Sequence, residues 1–268
     1  MASKIDYFGE NSVRGPSGGV WANCPWRDAE WDPNIGVHFW DDFHAVGVTG
    51  AGPGAWNIAG TGGSFVGAAS ATFGAIGVGA LTTGASDNNE CTISNGNKLC
   101  PVAVISAGKR TWYESRIRCT SVAAQGLLIG LVEDGYTAAD LMQDAGGVES
   151  VDYIGFRVPE GTPTQIDCVY NTAGVGEVVA QAGTVSATQQ TLAANTWTKL
   201  GMYFDGEFMR WYRDGVTIKT AAGEDLKVRY SATGFPNDLV LLAAFAIKNA
   251  DANARVCNID WVKVFQEL

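Results

Sequence analysis

Histidine is almost missing from this sequence: His38 and His44 are the only two. Triad catalysis and imidazole-bound metals lean on histidine more than on any other side chain, so both have little to build on. Cysteine stands at positions 24, 91, 100, 119, 168 and 257, never as C-x-x-C, and a thiolate zinc site has no support from spacing. No apolar run reaches the roughly eighteen residues of a membrane helix; the richest, LVLLAAFAI at Leu239 to Ile247, is of strand length. The first residues, MASKIDYFGENSV, contain no apolar signal core, so a product that folds in the cytoplasm and is not secreted is expected. Positive charge is scarce too, with 18 Lys and Arg against 28 Asp and Glu and a net charge of -10. Such a surface repels phosphate backbones and anionic headgroups, which argues against nucleic acid and membrane as partners.

What is present points to strands. With 46% hydrophobic residues the chain can bury the core of one large all-β domain. In RTWYESRIRCTSV, Tyr113, Ser115, Ile117 and Cys119 alternate with Trp112, Glu114, Arg116 and Arg118, the pattern of a half-exposed strand. NTWTKLGMYFDGEFMRWYRDGVTIKT reads as a three-stranded meander turning at Asp205-Gly206 and Asp214-Gly215, because D-G is a strong hairpin signal. Between 50 and 86, Trp56, Phe65, Phe73, Ile76 and Leu81 recur among small residues and predict short strands joined by glycine turns. YTAADLMQDAG, from Tyr136, is the one good helical candidate. Many short strands and almost no helix mean an all-β sandwich over residues 37–268.

Residues 1–36 have a different texture, rich in Gly, Pro, Asn and charge, and predict an irregular arm. Trp21, Trp26 and Trp31 recur there every five residues, which fits neither the helical nor the strand period. Each ring needs a pocket, on the chain's own sandwich or on a partner. With Arg27 beside them, the three rings have the composition of an interface hot spot, which favours a partner.

One cysteine pair is testable by counting. If Asn95-Gly96 makes a two-residue turn in CTISNGNKLC, Cys91 faces Cys100. That is a non-hydrogen-bonded pair with Cα atoms about 4.5 Å apart, near disulfide reach. Two reduced thiols remain the expected state in a cytoplasmic product.

FWDDF, WYESRI, NTWTKLGM, WYRDG and IDWVKV follow one another along the chain. In that order they resemble the concanavalin A-like, laminin-G-like jelly-roll sandwich, and the overall texture is similar to virion proteins of tailed bacteriophages. The resemblance implies a capsid decoration or cement protein that binds the major capsid protein or other virion subunits, assembles as a homo-oligomer, with a trimer expected, and needs no cofactor. A lectin-like glycan-binding module of a phage fibre or tail is the alternative it leaves open. SDNNE (Ser86–Glu90) and NADANAR (Asn249–Arg255) offer oxygen ligands for that role but match no calcium-loop spacing and read as solvated loops. Trp211 and Tyr212 point to opposite faces of one strand, so one of them is a candidate exposed platform. Sandwich glucanases carry an E-x-D-x-E strand, which places their carboxylates on one face. That pattern is absent; Glu114 stands alone beside Arg116 and Arg118 and reads as a surface ion pair. An enzyme is not expected.

Overall fold

The computed structural model describes residues 15–43, 56–67, 77–95, 103–134, 136, 140–144, 146–181 and 191–268. Two short helices lead, α1 (Gly18–Trp21) and α2 (Trp26–Trp31). The first strands are β1 (Gly36–Asp41), β2 (Asn57–Ala59), β3 (Ser64–Gly67), β4 (Gly79–Thr82), β5 (Glu90–Ser94) and β6 (Ala103–Val104). The middle of the chain forms β7 (Thr111–Cys119), β8 (Gln125–Glu133), β9 (Tyr153–Val158), β10 (Asp167–Asn171) and β11 (Val178–Gln181). The meander and C-terminal part supply β12 (Thr198–Phe204), β13 (Phe208–Arg213), β14 (Val216–Thr217), β15 (Lys227–Arg229), β16 (Val240–Asn249) and β17 (Val256–Glu267).

These strands build two antiparallel sheets. A nine-stranded sheet runs β14-β13-β12-β7-β17-β4-β3, with β1 also on β17 and β15 on β13. An eight-stranded sheet runs β11-β10-β9-β8-β16-β5-β2, with β6 on β16. Strands distant in sequence, such as β7 and β17 or β8 and β16, lie side by side. That is the crossing pattern of a jelly-roll sandwich. The sheets share one core, to which β7 contributes Tyr113, Ile117 and Cys119, as its alternation predicts, and β16 contributes Phe245 and Ile247.

The meander forms, its first turn one residue later than expected: Phe204 pairs with Met209 and the Asp205 N–H donates to the Phe208 carbonyl, so Gly206-Glu207 make the turn; the second falls at Asp214-Gly215 as predicted. Asp214 and Gly215 both have positive φ, 49° and 79°, which is the type I′ geometry that joins β13 to β14. Strands β2, β3 and β4 arise in the small-residue stretch, and Trp56, Phe65 and Leu81 are core residues there; Phe73 and Ile76 lie outside the described residues.

Three local expectations fail. The described part of 136–146 is not helical: Met142 bridges to Val148, and the segment covers the outer face of the eight-stranded sheet with Tyr136, Leu141 and Met142. The Asn95-Gly96 hairpin is not the pairing that β5 makes, because β16 occupies one of its edges and β2 the other. Cys91 is a buried free thiol, and Cys100 lies outside the described residues. Trp211 and Tyr212 are both buried, Trp211 in the core and Tyr212 beneath the N-terminal segment. No helix among the described residues is long and apolar enough to cross a membrane.

Candidate functional site

The outer face of the nine-stranded sheet collects the chemistry. Alternation along β7 puts Trp112, Glu114, Arg116 and Arg118 there, and the register of β12 and β17 sets Lys199 opposite Arg116 and Lys263 opposite Glu114. A bulge between Ile259 and Trp261 turns Asp260 onto Arg116, and the two form a buried ion pair. From β1, His38 and Trp40 reach the same face; His38 packs on Trp26 with ring centroids 4.6 Å apart.

Residues 15–35 cover the part of this face around Trp112, Tyr212 and Phe265. Val20, Trp26 and Ala29 pack on Trp112, Tyr212 and Phe265. The approach is close: a Cβ at Gly19 would meet the Gly215 carbonyl oxygen at 2.1 Å, and one at Gly201 would meet Val20 at 2.9 Å. Glu114 is fully buried beneath this cover. Its Oε2 accepts hydrogen bonds from the Ser17 amide (2.9 Å) and the Trp21 indole N–H (2.8 Å). Burial raises its pKa above the ordinary carboxylate value, against those two donors and Lys199. Strand β7 is thus buried on both faces, and Glu114 is not the surface ion pair that its neighbours suggest; the missing element was the cover, 93 residues away in sequence at Trp21.

Lys263 sits in a box of tryptophans. Its Nζ lies 3.5 Å from the Trp26 ring centroid, 5.1 Å from Trp21 and 5.5 Å from Trp40. Burial pushes its pKa down to about 8, opposed by the nearby Cys24, Glu30 and Glu114. Trp40 and Lys263 fall within FWDDF and IDWVKV, but nothing in those stretches marks them as partners; the alternation of Trp261, Lys263 and Phe265 fixes only the side on which Lys263 lies.

The five-residue spacing of the tryptophans now has an explanation. On a helix five residues turn about 140° past one full revolution, so Trp26 and Trp31 at the two ends of α2 face different ways. Trp26 is 8% exposed against the sheet and Trp31 is 88% exposed. Trp21 is half-buried and Arg27 exposed. The surface that Trp21 and Trp26 pack against is therefore the chain's own sheet, where a partner was expected; Trp31 and Arg27 alone face outward. Ser17 lies in a G-x-S-x-G stretch, Gly15 to Gly19. A nucleophile elbow would lift that serine above a strand-to-helix turn. Here it lies flat on the sheet, its amide bound to Glu114 and its Cβ against Gly215.

Past the cover, the face carries Trp197, Arg116, Arg118 and Lys199. The half-buried Trp197 ring has the guanidinium carbons of Arg116 and Arg118 at 4.5 and 4.8 Å from its centroid. Arg116 is held from behind by Asp260, the two side chains being 9% and 1% exposed.

The two oxygen-rich loops do meet, but on each other. Asn249 Nδ2 donates to the carbonyls of Gly84 (3.1 Å), Asp251 (2.8 Å) and Asn253 (3.1 Å). An amide thus occupies the place where converging carbonyls would face a cation. No cluster of three or more His, Cys, Asp or Glu able to hold a metal occurs among the described residues. Glu90, at the end of SDNNE, is buried rather than solvated. It accepts from the Thr92 hydroxyl and from the Leu141 (2.6 Å) and Met142 (3.1 Å) amides, and burial pushes its pKa up to about 7.

Similar architectures occur among solved structures. Peanut lectin matches with a TM-score of 0.55 over 86% of this chain and 97% of the lectin, at 10% identity. The fold is the concanavalin A-like jelly-roll sandwich. A protein of unknown function from Shewanella oneidensis MR-1 matches at 0.52 over 87% of this chain and 86% of its own, at 14% identity. The carbohydrate recognition domain of Emp47p matches at 0.50 over 88% and 96%, at 11% identity. At such identities the likeness is one of fold alone. None of the three is described as a virion protein, so the decoration role implied by texture gains nothing from them. No protein-family model and no curated protein matches the chain.

Proposed function

We propose that this protein is a carbohydrate-binding sandwich that does not cleave its ligand, with the ligand on the uncovered part of the nine-stranded sheet's outer face. The observation that carries this reading is Trp197, an indole anchored by Arg116 and Arg118 at the rim of a face whose other large rings are mostly sealed. A half-buried ring with two guanidiniums over it joins aromatic surface to a few polar groups, the composition of a small-ligand site. Peanut lectin and the Emp47p carbohydrate recognition domain show that the same fold carries lectins. Binding is favoured over hydrolysis because the acids of the face are engaged: Glu114 lies under Ser17 and Trp21, Asp260 is paired with Arg116, and Glu267 with Arg110.

Affinity electrophoresis of the whole chain through gels containing soluble polysaccharides tests it. At least one polysaccharide should retard the protein, Trp197→Ala should abolish the retardation while leaving the melting temperature within a few degrees, and no reducing ends should appear. Retardation unchanged by Trp197→Ala would place the site elsewhere. A second reading, attachment to a larger assembly such as a virion, is favoured by the exposure of Trp31 on a helix otherwise packed down. Its test is Trp31→Ala: loss of particle attachment with unchanged stability supports it, and retained attachment removes Trp31 as the anchor.

A further inference from the structure

Building on the carbohydrate-binding reading, we infer that the ligand is an acidic saccharide whose carboxylate or sulfate group is received by Arg118 and Lys199 beside Trp197. The first ground is charge placement. The chain carries a net charge of -10, yet two guanidiniums lie over one indole and Lys199 follows it two residues on. Arg116 and Arg118 share a face of β7, and Lys199 of β12 stands directly opposite Arg116 in the antiparallel register. Asp260 already pairs with Arg116, so Arg118 and Lys199 are the cations through which this part of the face would meet an oxyanion.

The second ground is a division of roles. Asp260 holds Arg116 in place, so Arg116 positions Trp197. Arg118 and Lys199 are both partly exposed, on the same face of adjacent strands. Burial lowers the pKa of each, and the neighbouring Arg116 lowers it further, while Glu114 and Asp214 counteract this at Lys199. Third, hydrogen bonds from a charged guanidinium or ammonium N–H to a carboxylate or sulfate are shorter and stronger than those to a neutral hydroxyl.

The test uses the full chain in gels containing a neutral β-glucan, the same glucan carboxylated at C6, or the same glucan sulfated, each at low and high salt. At least one charged form should bind about tenfold more tightly than the neutral glucan, the equivalent of one good charge-assisted contact. Salt should erode that margin. Arg118→Gln and Lys199→Gln should each reduce the margin, and Lys199→Gln, which keeps most of the apolar stem and loses the charge, should leave the neutral glucan's retardation within about twofold. Equal retardation by neutral and charged forms overturns this inference and leaves the carbohydrate-binding reading standing. No retardation by any form, or by any other polysaccharide, overturns both. A charged-form margin that survives both substitutions shows polyanion attraction at another surface and refutes the site.

Discussion

Replacing Trp26 by alanine tests how the N-terminal segment is held. The ring is buried against Phe265 (centroids 6.0 Å apart) and His38 (4.6 Å), and the Lys263 ammonium sits 3.5 Å from its centroid. Truncating a buried tryptophan costs about 3–5 kcal/mol, and losing a desolvated cation–π contact adds about 1–2 kcal/mol. The indole's bond to Glu30, four residues on, is partly exposed and adds little. For a chain of this size each kcal/mol is about 2–4 °C in melting temperature, so a drop of about 10 °C or more is expected. Trp31→Ala is the control, because that ring is 88% exposed and an exposed truncation stays within about 0.5 kcal/mol. Urea and thermal unfolding, followed by tryptophan fluorescence and circular dichroism, measure both variants. A loss below about 1 kcal/mol for Trp26→Ala, or equal losses for the two variants, would refute the packing described for α2. The same packing implies that deleting residues 1–36 lowers the melting temperature, whereas a free arm would leave it unchanged.

Gly19→Ala should cost about 1–3 kcal/mol in thermal unfolding, the range for forced overpacking, because its new Cβ would lie 2.1 Å from the Gly215 carbonyl oxygen; an unchanged melting temperature would contradict that close approach. Arg116→Ala leaves Asp260 buried without its cation and should cost about 3–5 kcal/mol, while Arg116→Met with Asp260→Leu should recover much of the loss; a double variant as unstable as the single one would show that the ion pair is not the reason. Burial holds Glu90 up to about 7, against an ordinary value of 4.5. Between those two values the folded chain keeps a proton that the unfolded chain has released. Stability from this group therefore falls as pH rises from 4.5 to about 7, by about 3 kcal/mol at most, and then levels off. Glu90→Gln should flatten that part of the stability–pH curve, and parallel curves for the two proteins would sink the assignment.

Local chemistry in the sequence determined the meander, its Asp214-Gly215 turn and the all-β class. Asp214-Gly215 can take two positive φ angles with little strain, and the residues on either side alternate, so β13 and β14 follow from a few adjacent residues. The two faces of β7 were legible for the same reason. What covers each face was not, because a side chain's exposure depends on segments that arrive from elsewhere. Glu114 and Trp112 belong to a pattern that ordinarily faces water, and they are sealed only because Gly19 and Gly201 let residues 15–35 settle onto the sheet. The partners of β5 were equally hidden: Asn95-Gly96 is a valid local turn signal, but β16 and β2 had already taken both edges of the strand. Tertiary structure alone placed Lys263 among three tryptophans and Trp197 on two arginines. The residues that meet at both places come from segments far apart in the chain, and no periodicity within one segment can encode which other segment it will touch.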